Sequence, residues 1–359
     1  MVAQREIGVM RPGNTFRDLP GAPVSERFDG GAVIEVGVLA RRALRSGRRG
    51  RIAAVFERSL YAVLDDRWIC IGVKDLGSGP LHLLCTGIEP RLLVPGQEVA
   101  ILDTMLLVDG MRFAGFETAS VWAPPPSPEW TIDSLRAGLA MVDQVWRRLP
   151  VEQGLASSGG AEPAARPSRV LAAAAPGLAA LKRLIEAGLR GERCAPRDYP
   201  EIVELIGLGP GLTPSGDDLI GGALVALAGL GRLATRDALW KTCRAHLGRT
   251  NEISAAHLQS AGLGFAAAAL HEAIDATIGG RVNRIKSAVA ALSRIGQSSG
   301  LDAFAGALMV VRAIECRLLN DSALHHAGLA GNGPPTRSIA GGLIDHATRR
   351  EFGPKAARV

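Results

Sequence analysis

The chain reads as an α+β protein: an N-terminal, mostly antiparallel β domain followed by an α-helical domain. Three observations predict this. Short β-type runs cut by turn residues occupy positions 32–122, and a proline-rich break, Ala123-Pro-Pro-Pro-Ser-Pro128, ends them. Beyond about residue 170 the pattern is almost wholly helical. At 359 residues, with 47% hydrophobic and 21% charged residues, the chain has the length for two domains and the apolar content to fold.

In chain order, residues 1–31 are rich in Pro, Gly and charge without periodicity, and read as a flexible arm. The β domain, 32–122, contains the runs Ala53-Ala-Val-Phe56, Ser59-Leu-Tyr-Ala-Val-Leu64, Trp68-Ile-Cys-Ile-Gly-Val73, Leu81-His-Leu-Leu-Cys85 and Glu98-Val-Ala-Ile-Leu102. Asp65-Asp66, Gly77-Ser-Gly-Pro80 and Pro95-Gly96 punctuate them as turns, and the second of these either lines a pocket or is a plain hairpin loop. Residues 123–169 comprise the stiff proline spacer, a helix over 130–149 and a mobile low-complexity loop over 152–168. The α-helical domain, 170–359, is read as helices over 178–189, 199–206, 218–230, 236–247, 251–278, 281–295, 302–318 and 341–351.

Composition narrows the function classes. The formal net charge of +6 owes much to Arg41, Arg42, Arg45, Arg48, Arg49 and Arg51. With no interleaved aromatics or reader motif, that cluster reads as a solvated face or a surface for an anionic partner rather than a nucleic-acid site. Five scattered cysteines without a CxxC pair argue against a zinc site and a secreted disulfide framework. No apolar leader opens the chain, and the longest apolar runs, such as 219–230, are too short for a bilayer. The expectation is a cytoplasmic protein with no membrane contact.

The chemistry is sought in Gly207-Leu-Gly-Pro-Gly-Leu-Thr-Pro-Ser-Gly-Asp-Asp218, because part of it returns 84 residues later. Ser215-Gly-Asp-Asp218 leads to Gly222-Ala-Leu224, and Ser299-Gly-Leu-Asp302 leads to Gly306-Ala-Leu308 at the same spacing. Each copy is a polar turn running into an apolar helix, an arrangement that aims backbone N–H groups at an anion. The first copy is neither a Walker A loop nor a dinucleotide fingerprint, since no Gly-Lys-Ser/Thr follows and Leu212 stands at the third glycine. Asp217 is either a helix cap or a ligand. Asp218 and Asp302 enter helices apolar all round, where an unpaired carboxylate is costly, so a functional role is favoured for both.

Gln297, Ser298 and Ser299 offer hydrogen bonds beside the second turn, and either serine could instead cap a helix. Neither sits in a nucleophile elbow. Thr250, Ser254 and His257 fall at i, i+4 and i+7, with Arg249 at their entrance as a clamp for a carboxylate or phosphate. The alternative is a capping Thr250 or Asn251 and a His257 that only packs; His257 is carried as a candidate base.

Taken together, 207–218, Arg249-Thr-x-x-x-Ser254 and Ile295-Gly-x-x-Ser-Gly-x-Asp302 resemble a bacterial family, the AllH-type subunit of oxamate carbamoyltransferase. Gln297-Ser298 stand where that family usually has His-Thr. The resemblance implies a subunit of a carbamoyltransferase that interconverts oxalurate plus phosphate and oxamate plus carbamoyl phosphate in allantoin nitrogen catabolism, with further subunits as partners. Phosphate would sit on backbone N–H groups around Gly209, Gly211, Thr213, Ser215 and Gly216. The oxalurate carboxylate would meet Ser298, Ser299, Gly300 and Arg249, with Gln297, Thr250 and Ser254 lining the site. Asp218, Asp302 and His257 are the candidate catalytic groups. Asp218 and Asp302 would repel those anions unless protonated or, with Asp217, bound to a cation, for which Mg²⁺ is the simplest choice; no other cofactor is expected. The rivals are a non-catalytic assembly subunit and a metal-dependent hydrolase of a small ureido acid.

Overall fold

Ten strands and a set of helices make up the computed structural model, which describes residues 7–9, 29–149, 154–160 and 168–329. The strands are β1 (Ile7–Val9), β2 (Asp29–Gly37), β3 (Arg49–Val55), β4 (Ser59–Leu64), β5 (Arg67–Val73), β6 (His82–Cys85), β7 (Glu98–Leu102), β8 (Met105–Val108), β9 (Met111–Ala114) and β10 (Ser120–Trp122). Eight of them close a barrel in the order β3-β4-β5-β6-β2-β9-β8-β7, with β7 returning to β3. All the closing pairs are antiparallel except β5–β6 and β2–β9. β1 pairs outside this ring with β3, and β10 with β2. Closure removes the sheet edges that a run of short strands would otherwise leave open.

Alternation of side chains fills the barrel. Ile52, Leu60, Ala62, Leu64, Ile69, Ile71, Leu83, Val99, Ile101, Leu106, Val108 and Phe113 form a core of their own. Asp109, at positive φ, and Gly110 turn β8 into β9, the conformation a tight hairpin demands.

The helices are α1 (Ile132–Trp146), α2 (Arg169–Leu189), α3 (Ser215–Gly229), α4 (Leu233–Arg244), α5 (Glu252–Gly262), α6 (Ala268–Ile278), α7 (Val282–Leu292) and α8 (Ser299–Leu329). They share a second core, to which α3 contributes Leu219, Ile220 and Leu224 and α8 contributes Phe304, Leu308 and Val311. Thr131 and Ser134 cap α1 reciprocally, and Ser168 caps α2 by accepting the Leu171 N–H. The chain forms one compact unit through Leu318 and a second from Leu319. Among the described residues no helix is long and apolar enough to cross a membrane.

Several boundaries differ from the sequence expectation. The single helix over 251–278 is two, broken at Leu263–Ala267 around Gly264, whose φ is positive. Positions 199–206 make a 3₁₀ turn, Pro200–Leu205, rather than an α-helix. α2 begins before Pro176, because the Ser168 cap sets its start. α3 and α8 begin at Ser215 and Ser299, three residues before Asp218 and Asp302, so the serines lie in the first turn. Within the loop read as mobile, 154–160 includes a 3₁₀ turn with buried Leu155, Ala156 and Gly159. The expected helix over 341–351 lies outside the described residues, as does the arm apart from Ile7–Val9 and the start of β2.

Candidate functional site

α3 and α8 cross where the repeated motifs lie. A Cβ on Gly222 would collide with the Ala303 carbonyl oxygen, and one on Gly306 with that of Leu219. Under the 84-residue offset these are the same contact with the copies exchanged. Only glycine allows backbones this close. The crossing therefore brings both polar first turns to one place.

The exchange extends to the carboxylates. Asp218 is flanked by the Ser299 hydroxyl of the other copy, and Asp302 by Ser215. The Thr213 and Ser299 hydroxyls are 2.7 Å apart beside Asp218. On each carboxyl one oxygen, Oδ2, is buried without a hydrogen-bond partner. Burial pushes both carboxyls up; for Asp218 the charges of Asp302 and Asp217 add to this, while the Ser299 and Thr213 hydroxyls oppose it.

The three aspartates nonetheless have separate surroundings. Asp217, 2% exposed, has both oxygens committed: Oδ1 accepts the Gly207 N–H at 2.9 Å, and Oδ2 accepts the Ser254 hydroxyl at 2.7 Å and the Thr250 hydroxyl. Asp302, 0% exposed, accepts the Leu155 N–H at 2.7 Å on Oδ1 and holds the 154–160 segment. Asp218 keeps some exposed surface, and its charge is felt by Tyr61 of β4. Among the described residues no three His, Cys, Asp or Glu side chains gather to hold a metal ion. Asp217 in particular is turned to Thr250, Ser254 and Gly207, not into a shared set with Asp218 and Asp302.

The other sequence-derived candidates divide between these surroundings. Gly209 and Gly211 adopt positive φ, and Gly209 lies against Ser215. The Gly216 N–H donates to the Leu208 carbonyl, and the Gly300 N–H to that of Ile295, so both are used within their own turns. Ser298 accepts the Asp302 N–H on its carbonyl, with its hydroxyl beside the Asp302 carboxyl; Gln297 is exposed. Arg249 pairs with Glu204 at 3.4 Å in an open cleft with Ile206, Gly207 and Leu208, on the Asp217 side of the loop. Thr250 and Ser254 serve Asp217, while Asn251 caps α5 by accepting the Ser254 N–H.

His257 turns the other way. Its Nε2 stands 2.8 Å from the Tyr61 hydroxyl, across the junction of the helices with β4. Burial, reinforced by neighbouring His82, pushes His257 down to about 4, so the imidazole is neutral near pH 7. Sequence reasoning did not single out Tyr61, which looks like an ordinary member of an alternating strand, nor the Leu155 N–H.

Residues 205–311 match the family model described as oxamate carbamoyltransferase subunit AllH. The AllH match spans both repeated turns, the crossing of α3 with α8, Arg249 to Ser254 and His257, and stops short of the barrel. The resemblance read from the motifs holds over this segment. No curated protein and no solved structure matches the chain.

Proposed function

We propose that the chain is a subunit of a carbamoyltransferase that interconverts oxalurate plus phosphate and oxamate plus carbamoyl phosphate, with Asp218 as its acid–base group. One observation carries this reading: within the AllH-matching segment, Asp218 alone of the three aspartates combines a buried, unpartnered oxygen with remaining exposed surface.

In the phosphorolytic direction, a phosphate oxygen adds to the carbamoyl carbon of oxalurate. The bond from that carbon to the oxamate nitrogen breaks, and the nitrogen takes the electron pair. It then needs a proton, because an amide anion is a poor leaving group. Asp218 supplies it and becomes the carboxylate; in the other direction the carboxylate takes the proton back from the attacking amide. A carboxyl pushed up by burial suits this task. Asp302 and Ser215 hold the facing half of the crossing. Protonation of Asp218 removes the repulsion that would otherwise oppose two anionic reactants.

The test uses the complex that co-purifies with the tagged full chain, assayed for oxamate-dependent release of phosphate from carbamoyl phosphate. Asp218→Asn should lower turnover by ~10²–10⁴-fold with assembly intact. Weakened assembly with turnover per complex retained would make the chain a structural subunit instead. Release of ammonia from a ureido acid by the purified chain alone would make it a hydrolase.

A further inference from the structure

The AllH match stops before the barrel, yet the barrel reaches the same place. Tyr61 projects from β4, its hydroxyl 2.8 Å from His257 Nε2 and its ring edge-on to the imidazole, with centroids 5.7 Å apart. Phe56 also packs edge-on against Tyr61, with centroids 5.8 Å apart, and helps to hold the phenol in place. The Gly77-Ser-Gly-Pro80 turn brings in a second imidazole. The His82 Nδ1–H donates to the Gly77 carbonyl at 2.8 Å, which leaves Nε2 as the acceptor. The same turn is tied to the helical region, where the Ala268 N–H donates to the Ser78 carbonyl at 2.9 Å. Tyr61, His82, His257 and Asp218 each keep some exposed surface, so the junction is not sealed.

This wall is polar without formal charge. Burial pushes Tyr61 up, helped by Cys70 and the charge of Asp218, and pushes both imidazoles down. A doubly charged phosphate gains little from such a surface, whereas an uncharged amide can donate its N–H groups to the acceptors left free there, His82 Nε2 and the Tyr61 oxygen. We infer that the barrel forms part of the site: Tyr61 and His82, together with His257, make the wall opposite Asp218 and bind the uncharged amide end of the ligand. Tyr61 acts there as a positioning residue, holding His257 in one ring orientation and tautomer. The inference rests on the proposed function and adds to it which end of the ligand faces the barrel.

The experiment follows the ring-nitrogen NMR signals of ¹⁵N-histidine-labelled full-length protein during titration with oxamate, and with oxalate, which lacks the amide. Oxamate should shift the His257 signals and oxalate should not. Tyr61→Phe keeps the ring and its packing but takes a partner from His257 Nε2, so the melting temperature should fall by no more than the loss of one hydrogen bond implies. It should alter the His257 Nε2 signal before any ligand is added, and weaken oxamate binding roughly five- to tenfold. Oxamate binding that depends on Asp218 but is unchanged in Tyr61→Phe, with His257 silent, would overturn the inference and leave the proposed function standing. Oxamate binding indifferent to Asp218→Asn, or none, would bring down the proposed function and this inference with it.

Discussion

The two copies of the Ser-Gly-x-Asp turn meet through interchangeable contacts, yet their carboxyls end in different surroundings. Gly222 faces Ala303 as Gly306 faces Leu219, and Asp218 faces Ser299 as Asp302 faces Ser215. Beyond the crossing the correspondence ends. Asp302 is covered by the 154–160 segment and spends an oxygen on the Leu155 N–H, while Asp218 keeps exposed surface and its charge is felt by Tyr61. A shared backbone plan can thus give one carboxyl to architecture and leave its counterpart available for chemistry. What separates them is the chain that arrives from elsewhere.

The largest expected effect tests whether the crossing is as reciprocal as its contacts. Gly222→Ala and Gly306→Ala each push a methyl into a backbone carbonyl that has no room to move. Each should cost about 3 kcal/mol, the upper part of the usual range for overpacking, and the two losses should agree within error in urea unfolding. A large loss at one glycine with none at the other would break the correspondence at its centre.

A smaller effect separates the two carboxyls. Asp302→Ala strands the Leu155 N–H and should destabilise by ~1–3 kcal/mol, with faster proteolytic cutting within 154–160. Asp218→Asn should leave stability at pH 8 unchanged or higher, because burial opposes the charged form that Asn replaces with a neutral one. Equal destabilisation by the two substitutions would show that both carboxyls hold the fold.

The contrast also marks how far the sequence was legible. Period-two runs and turn residues reveal strands such as 59–64 and 68–73, and the apolar stretches after Asp218 and Asp302 reveal buried helices. Barrel closure is not legible, because β3–β7 and β2–β9 are long-range pairings that local periodicity does not encode. β8 and β9, four residues each, carry too few positions to register as a pattern, and the Asp109-Gly110 turn between them was not singled out. In the site, the equal spacing of the motifs pointed to their shared location. It could not say that Thr250 and Ser254 would satisfy Asp217, or that Leu155 would cover Asp302, since these partners lie 33, 37 and 147 residues away. The repeated Gly222 and Gly306 were legible only as spacing, and the crossing gives them their physical reason.

The smallest expected effect places the pH response on the barrel-facing side. His257 titrates near 4 in the fold against about 6.5 in an unfolded chain. Between those values the unfolded chain binds the extra proton, so stability is full above about pH 6.5 and falls as pH drops toward 4. His257→Gln removes this contribution while keeping a partner for the Tyr61 hydroxyl. Its melting temperature should therefore decline less than that of the parent protein between pH 6.5 and 4.5. The raised aspartates act with the opposite sign and are common to both proteins, so the difference between the two curves reports the imidazole. Parallel curves would mean that His257 is free to protonate in the fold, and the wall facing Asp218 would then carry charge at mildly acid pH.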